Sequence, residues 1–292
     1  MRLRYVLLVY KKSAYQIYVL ERKNPRFTGR HAAGWDVERL KRAHRAHQET
    51  LKQVEAVLRA HGIRYRMIFR ALQHDYRPYD FVISVGGDGT LLEAARGVRR
   101  QPILGVNSDP KRSTGSFCRA SGETFGQLLE RILTGALTVR PLHRMQLRLN
   151  GRDLGLHVLN DVLIAHENPA AMSRYWIQIS GVREEQRSSG LWVATAAGST
   201  GAMKSAGGNV LPKDSTATQY LPRELYRPSG MRYRLTGGVI PGAQTITLRS
   251  LMRQGMICVD GAHMKIPLRY GDQLQIKGSC YPLRFVDGAV GG

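Results

Sequence analysis

The chain has little sulfur chemistry to offer: three cysteines in 292 residues, Cys118, Cys258 and Cys280, odd in number and far apart. That excludes a disulfide framework and a metal knuckle, and predicts buried or half-buried thiols in a reducing compartment. Acidic residues are also scarce, with twenty-two Asp and Glu against forty-four Lys and Arg, for a net charge of +22. The excess sits early, where residues 1–70 hold seventeen basic and five acidic side chains. Such a surface attracts anions, whether nucleic acid, acidic lipid or a polyphosphate ligand. Against nucleic acid, the densest basic stretch, Arg39 to Arg45, lies in a helical pattern without the interleaved aromatics that base stacking uses. Long apolar runs are missing as well. The N-terminal run Tyr5–Tyr10 is six residues, short of a signal-peptide core of about 7–15 and of a membrane span of about 18. The tail Asp287–Gly292 carries no peroxisomal or endoplasmic-reticulum address. Together these absences predict a soluble, cytoplasmic protein whose partners are neither membrane nor nucleic acid.

What is present is ordinary globular material, 42% hydrophobic and 23% charged, in a length that suggests about two domains. The continuous apolar run Tyr5–Tyr10 reads as a buried strand of a parallel sheet. From Asp36, a plausible N-cap, to Ala60 the apolar residues recur at helical spacing, and Gly62 stops the pattern. Strands over Ile63–Ile68, Phe81–Val85 and Ile103–Val106 alternate with helices over Leu91–Arg99 and Phe125–Leu133. This βαβ rhythm predicts a parallel sheet covered by helices. Beyond about residue 142 the texture changes to short segments between Gly, Asn, Asp and Pro turns: Met145–Leu149, His157–Ala165, Tyr175–Ile179, Leu191–Thr195, Thr245–Leu248, Ile257–Val259 and Leu274–Ile276. The expected fold is therefore an α/β domain over residues 1–140 and an all-β domain over 141–292, with the last residues returning to the first domain. Residues 211–244, rich in Pro, Arg and Tyr, read equally as a lid, an interface or an irregular β excursion.

After the third strand comes Gly86-Gly87-Asp88-Gly89-Thr90, where three glycines in four positions let backbone amides approach a ligand. A helix opens at the loop, so amide donors and the positive end of its dipole make an anion site. A carboxylate in a phosphate cradle is explained if Asp88 meets the metal that accompanies the phosphates, or takes a proton from an attacking hydroxyl. The bland alternative is a tight turn capped by Asp88. A second cluster, Gly198-Ser199-Thr200-Gly201, follows the strand Leu191–Thr195 and reads as another strand-loop-helix cradle, or as a flexible loop. Asn160-Asp161 interrupts the apolar strand His157–Ala165; the pair suits the hydroxyls or base edge of a ligand, and taken alone it suits a turn or bulge. His44 and His47 share a helix face, with no acidic or thiol ligand beside them, and read as solvent-exposed.

In this order and at these separations, Gly86–Thr90, Asn160-Asp161 and Gly198–Thr200 resemble the NAD kinases, over roughly residues 80–280. The segments Gly105–Pro110, Arg112–Gly115, Ala171–Arg174 and Arg187–Leu191 resemble more narrowly the branch with the plant NADH kinase and the animal mitochondrial NAD kinase. The resemblance implies transfer of the terminal phosphoryl group of ATP, or in some members polyphosphate, to the 2′-hydroxyl of the adenosine ribose of NAD+ or NADH. It implies magnesium or another divalent metal and a homo-oligomer, a dimer at least. Residue by residue, it makes Asp88 the catalytic residue and a candidate metal contact, and Gly86, Gly87, Gly89 and Thr90 the ATP-phosphate loop. It makes Asn160, Asp161, Arg187, Ser189, Gly198, Ser199, Thr200 and Gly201 the dinucleotide contacts, and leaves Arg112 and Arg174 as secondary pyrophosphate candidates. The chain departs from the common members in three places. Asp161 stands for a glutamate, Ser189 for an aspartate near the nicotinamide, and Ala202 for an aromatic ring. Losing the aspartate weakens the preference for cationic NAD+ over neutral NADH by about 1 kcal/mol. The same first glycine loop occurs in diacylglycerol-type lipid kinases, and the two last departures also fit a non-catalytic dinucleotide-binding regulator.

Overall fold

The structure, a computed structural model, describes residues 3–28 and 34–288. The chain divides into two compact units, Met1–Arg140 with Arg284–Gly292, and Pro141–Leu283.

The first unit is built on a sheet of β1 (Tyr5–Tyr10), β2 (Arg64–Phe69), β3 (Phe81–Gly86), β4 (Pro102–Asn107), β5 (Ala120–Ser121), β6 (Val139–Leu142) and, counted in chain order, β19 (Leu283–Val286). Its order is β2-β1-β3-β4-β19-β6, with β5 beside β4. The pairings of β1 with β2 and β3, and of β4 with β3, β5 and β19, are all parallel. Every residue of β3 and β4 is buried, because helices cover both faces, and that is why these strands read as continuous apolar runs. Among the described residues this unit has four α-helices, α1 (Pro25–Thr28), α2 (Gly34–Ala60), α3 (Asp88–Gly97) and α4 (Phe125–Leu133), and a turn of π-helix over Gln16–Glu21. The buried stripe of α4, Phe125, Leu128, Leu129 and Ile132, joins Leu51, Val54 and Leu58 of α2 over Val6, Leu8, Ile83, Val85, Leu104 and Val106. Each such side chain contributes about 1.5–3 kcal/mol on burial. Leu91 of α3 lies against Gly105 on the opposite face, where a Cβ would come within 2.9 Å of its Cδ1.

Two expectations for α2 are corrected. Asp36 lies inside the first turn and does not precede it. His44 and His47 are not solvent-exposed: His47 is 1% exposed, and His44 is half-buried with Nδ1 2.8 Å from Ser13 Oγ. The period that buries Leu51, Val54 and Leu58 continues one turn back to His47, and that explains the error. Its Nε2 meets the Lys11 carbonyl at 2.7 Å, and burial pushes its pKa down to about 4. The helix ends at Gly62, at φ 63°, where the Gly62 and Ile63 amides donate to the Arg59 and Leu58 carbonyls. This is the paired closure for which glycine is favoured.

The second unit is two antiparallel sheets. One runs β11 (Val182–Ser188), β10 (Ser173–Ile179), β15 (Ile246–Ser250), β18 (Gln273–Gly278), β7 (Met145–Leu149), β8 (Arg152–Val158). The other runs β14 (Gly238–Ile240), β13 (Thr218–Arg223), β12 (Gly190–Thr195), β9 (Asp161–His166), β16 (Gly255–Val259), β17 (Met264–Leu268). Leu147, Ile177, Leu248 and Leu274 of the first sheet share one core with Val162, Ile164, Val193 and Ile257 of the second, which is why β10 and β15 alternate buried and open positions. Residues 211–244 supply β13 and β14 and a loop tied to β11: the Arg234 and Leu235 amides donate to the Glu184 carboxylate, each at 3.0 Å, and the Tyr226 amide donates to the Arg187 carbonyl at 2.8 Å. Among the described residues no helix is long and apolar enough to cross a membrane. Residues 289–292 of the C-terminal tail lie outside the described residues.

Candidate functional site

In the first unit the glycine loop stands at the carboxyl end of β3. Gly87, extended at φ −127°, caps α3, so Asp88 is the first residue of the helix, three positions before the start the sequence pattern suggests. A carboxylate in the first turn faces the positive end of the dipole, which favours that start. Its two oxygens are held separately, Oδ2 accepting from the Ser116 amide at 2.9 Å and Oδ1 from the Phe117 amide at 2.8 Å. The side chain is thereby fixed in direction and stays half-exposed. The glycines differ in need. A Cβ on Gly86 would meet Thr90 Oγ1 at 2.2 Å and one on Gly87 would meet Ser113 Oγ at 2.9 Å, whereas Gly89 is exposed with only Arg70 Nη1 at 3.5 Å. The segment 105–117 completes the loop's surroundings: Asn107 Nδ2 donates to the Ser113 carbonyl, and its Oδ1 accepts from the Asp109 amide. Arg112 pairs with Asp109 at 2.8 Å, its side chain 41% exposed.

The fit of a divalent metal follows from these donors. Among the described residues no group of three or more His, Cys, Asp or Glu side chains is placed to hold a metal ion. The loop offers the single carboxylate of Asp88, each oxygen already accepting one amide. That fits magnesium carried in by phosphate oxygens, its usual mode in phosphoryl transfer, and does not fit a metal held by the protein alone. The cysteines stay apart from this chemistry. Cys118 is half-buried, its thiol pushed up to about 12 by burial and by Asp88. Cys258 is buried, while Cys280 is exposed, against the expectation of a buried or half-buried thiol.

In the second unit the chain turns at Leu159-Asn160, and Asp161 opens β9; the single strand His157–Ala165 of the sequence reading is two strands, β8 and β9. The cause is Asp260, whose carboxylate accepts from the amides of Leu159 at 3.3 Å, Asn160 at 2.7 Å and Asp161 at 3.3 Å. Asp260 is the site residue that sequence reasoning missed. Its signal was the turn Asp260-Gly261, a weak one, since its partners lie 99 to 101 positions away. Asp161 is 5% exposed, and burial, then the Asp260 charge, raise its pKa to about 7, against a lowering hydrogen bond from Asn160. That bond runs from Asn160 Nδ2 to Asp161 Oδ2 at 3.1 Å.

The second glycine cluster packs directly on this turn. A Cβ on Gly198 would lie 2.0 Å from the Asn160 carbonyl oxygen, and one on Gly201 would lie 3.4 Å from Asn160 Nδ2. Thr195 ties the two together, its hydroxyl donating to the Leu159 carbonyl and accepting from the Gly198 amide at 3.2 Å. Ala197–Thr200 forms a turn of 3-10 helix and α5 (Ala202–Ser205) follows. Ser199 is fully buried, its hydroxyl donating to the Ala196 carbonyl at 2.7 Å and accepting from the Leu211 amide at 2.9 Å. Thr200 is exposed and Gly201 half-buried. The structure thus brings Asn160, Asp161, Gly198 and Gly201 together. Arg187 and Ser189 sit elsewhere in the unit, at the end of β11 and the start of the hairpin to β12. Arg187 is exposed beside Glu185, and the Ser189 amide donates to the Arg223 carbonyl at 2.9 Å. Arg174, opposite Arg187 in the β10–β11 ladder, is also exposed.

Comparison with known proteins places the chain as a whole. A family model described as the ATP-NAD kinase N-terminal domain matches residues 19–137. Among curated proteins, the chain is 36% identical over 265 residues to a probable NADH kinase of Oryza sativa subsp. japonica, covering 83% of this chain and 82% of that one. It is 36% identical to the NADH kinase of Arabidopsis thaliana, covering 80% of each. The fold is that of a crystal structure of an NAD kinase from Archaeoglobus fulgidus in complex with ATP, with a TM-score of 0.69, 22% identity, and 96% of this chain and 92% of that chain covered. A glycine loop that delivers one oriented aspartate, on a chain 36% identical to plant NADH kinases over four fifths of both lengths, has one family to belong to: this protein is a member of the NAD kinase family.

Proposed function

We propose that this chain is an NAD(H) kinase, transferring the terminal phosphoryl group of ATP to the 2′-hydroxyl of the adenosine ribose to give NADP(H). The observation that carries the reading is the fixed carboxylate of Asp88 at the mouth of the Gly86–Thr90 loop, on a chain of this family. Phosphoryl transfer through a loose transition state asks little covalent chemistry of a protein, so catalysis rests on positioning and charge. The two amides that hold Asp88 leave its outer lone pairs to accept the 2′-hydroxyl proton, orienting the hydroxyl and taking the proton as the new P–O bond forms and the bond from the γ-phosphorus to the β,γ-bridging oxygen breaks, releasing ADP. The Gly87 and Gly89 backbone and the start of α3 receive donor phosphate oxygens. A divalent metal brought in with the donor would be met by Asp88, and would supply neutralisation of the charge on the donor phosphates.

In the second unit Asn160, Asp161, Thr200 and Gly201 hold the dinucleotide, with Gly198 giving close approach and Ser199 bracing the turn from within. Ser189 in place of an acid lowers discrimination against NADH, in keeping with the names of the two plant relatives. The family resemblance extends the reading to a homodimer or larger homo-oligomer and to polyphosphate as an alternative donor; the cytoplasmic location is carried over from the sequence reading. The test is direct. Purified protein with magnesium and ATP is offered NAD+ and NADH separately, with Asp88→Asn beside it. Product with each acceptor, lost by at least about a hundredfold in the variant, is the expected result. Tight dinucleotide binding without product would replace the enzyme by a regulator.

A further inference from the structure

Parallel strands end at one edge of a sheet, so the residues that follow β1, β2, β3 and β4 collect there. They are Lys11, Arg70, the Gly87–Gly89 loop, and Ser108 with Asp109. In open parallel sheets ligands bind at this edge. Arg70 is aimed by α3: its Nε stands 2.7 Å from Glu93 Oε2, with the two side chains 21% and 13% exposed. This leaves Nη1 3.5 Å from where a Cβ on Gly89 would lie. Lys11 is half-buried, and its carbonyl is anchored on His47 Nε2 at 2.7 Å. Burial, then the Arg70 charge, lower the pKa of Lys11, while Asp109 works the other way.

Glu93 pairs with the Nε side of Arg70, and Asp109, the carboxylate whose charge reaches Lys11, is itself paired with Arg112 at 2.8 Å. Beside the loop, Thr90 Oγ1 and Ser108 Oγ are buried without a hydrogen-bond partner. The Ser108 amide donates to the Gly86 carbonyl at 2.8 Å, which places that residue against the loop. Two half-buried cations set against each other, over a glycine loop with unused hydroxyls, make a site that a polyanion completes.

We propose that Lys11 and Arg70 are the seat of the donor's terminal phosphates, the ammonium and the guanidinium meeting phosphate oxygens above Gly87–Gly89. Identifying the polyanion as the phosphoryl donor rests on the kinase reading; the polyanion seat does not. The two parts separate in one experiment. Calorimetry on the full chain measures inorganic tripolyphosphate, ATP and AMP binding to wild type, Lys11→Gln, Lys11→Arg and Arg70→Gln, each checked for an intact melt. Tripolyphosphate should bind wild type and weaken by about tenfold or more in Lys11→Gln and Arg70→Gln. ATP should follow, AMP should stay within about twofold, and Lys11→Arg should retain most of the binding. In turnover the same variants should raise KM for ATP and leave KM for NAD(H) unchanged. Failure of tripolyphosphate to bind wild type, equal weakening of AMP and ATP, or a Lys11→Arg loss as large as that of Lys11→Gln would each overturn the proposal. Tripolyphosphate binding that the variants abolish, in a protein that makes no NADP(H), would keep the seat and discard the kinase.

Discussion

Asp161 sets a pH dependence that runs opposite to the usual carboxylate case. Its pKa rises from the ordinary 3.8 to about 7, because it is buried and faces the Asp260 carboxylate. The folded state therefore holds this proton more tightly than the unfolded chain does, a difference worth about 4 kcal/mol. By linkage, the stabilisation is complete below about pH 4 and drains away as pH rises, at about 1.4 kcal/mol per pH unit, until it levels off above pH 7. Asp161→Asn keeps a neutral side chain of the same shape and removes the titration. The variant should match wild type near pH 4 and exceed it by about 3–4 kcal/mol at pH 8, while binding the dinucleotide more weakly at every pH. Urea unfolding of the two proteins from pH 4 to 8.5 measures the difference. A difference that stays flat between pH 5 and 8, or that grows toward acid, would refute the account.

Four further outcomes follow from contacts already described. His47, held down to about 4 by burial, should cost stability as pH falls from about 6.5 to 4, by about 1.4 kcal/mol per pH unit, and His47→Gln should abolish that acid slope in the melt of the first unit. Gly198→Ala puts a Cβ 2.0 Å from the Asn160 carbonyl oxygen; it should destabilise the second unit by about 1–3 kcal/mol and weaken NAD(H) binding, as read by calorimetry. Asp260→Ala, which strands three amides, should cost about 2 kcal/mol or more in urea unfolding and raise KM for NAD(H) before it lowers kcat. Ser189→Asp should raise the NAD+ over NADH ratio of kcat/KM by about fivefold, the equivalent of about 1 kcal/mol; an unchanged ratio would sever Ser189 from the nicotinamide.

What the sequence made legible depended on how local its cause was. β3, β4 and α4 announce themselves because double burial makes a strand uniformly apolar and single-sided burial gives Phe125, Leu128, Leu129 and Ile132 their spacing. The loop at Asp88 was legible because three glycines serve a purpose that few structures share. By contrast, β13 buries Thr218 and Gln219 beside Tyr220 and carries Pro222 and Arg223, so it shows no alternation, while β17 alternates but over only five residues and with Pro267 inside it, which argues against a strand. Asp260 and Arg70 were illegible for a different reason: each looks like a surface charge until the fold brings distant backbone or a distant carboxylate beside it. His47 misled because one polar residue on an apolar stripe reads as a break in the stripe, when its ring is simply part of it.

The strand β19 has a temporal meaning. It pairs with the Pro102–Ile103 half of β4, while β5 covers the Val106–Asn107 half of the same edge. Phe285 stacks edge-on against Phe117, and Asp287 grips Arg119 at 2.7 Å. Phe117 is the residue whose amide holds Asp88. The ribosome makes the entire second unit before it makes these residues, so a growing chain carries its glycine loop early, with the contacts that Phe285 and Asp287 make on Phe117 and Arg119 still missing. Folding of the second unit shortens the span that β19 must close, and loop-closure entropy falls accordingly. Until β19 is made, the nascent first unit waits with the Pro102–Ile103 half of that β4 edge unpaired.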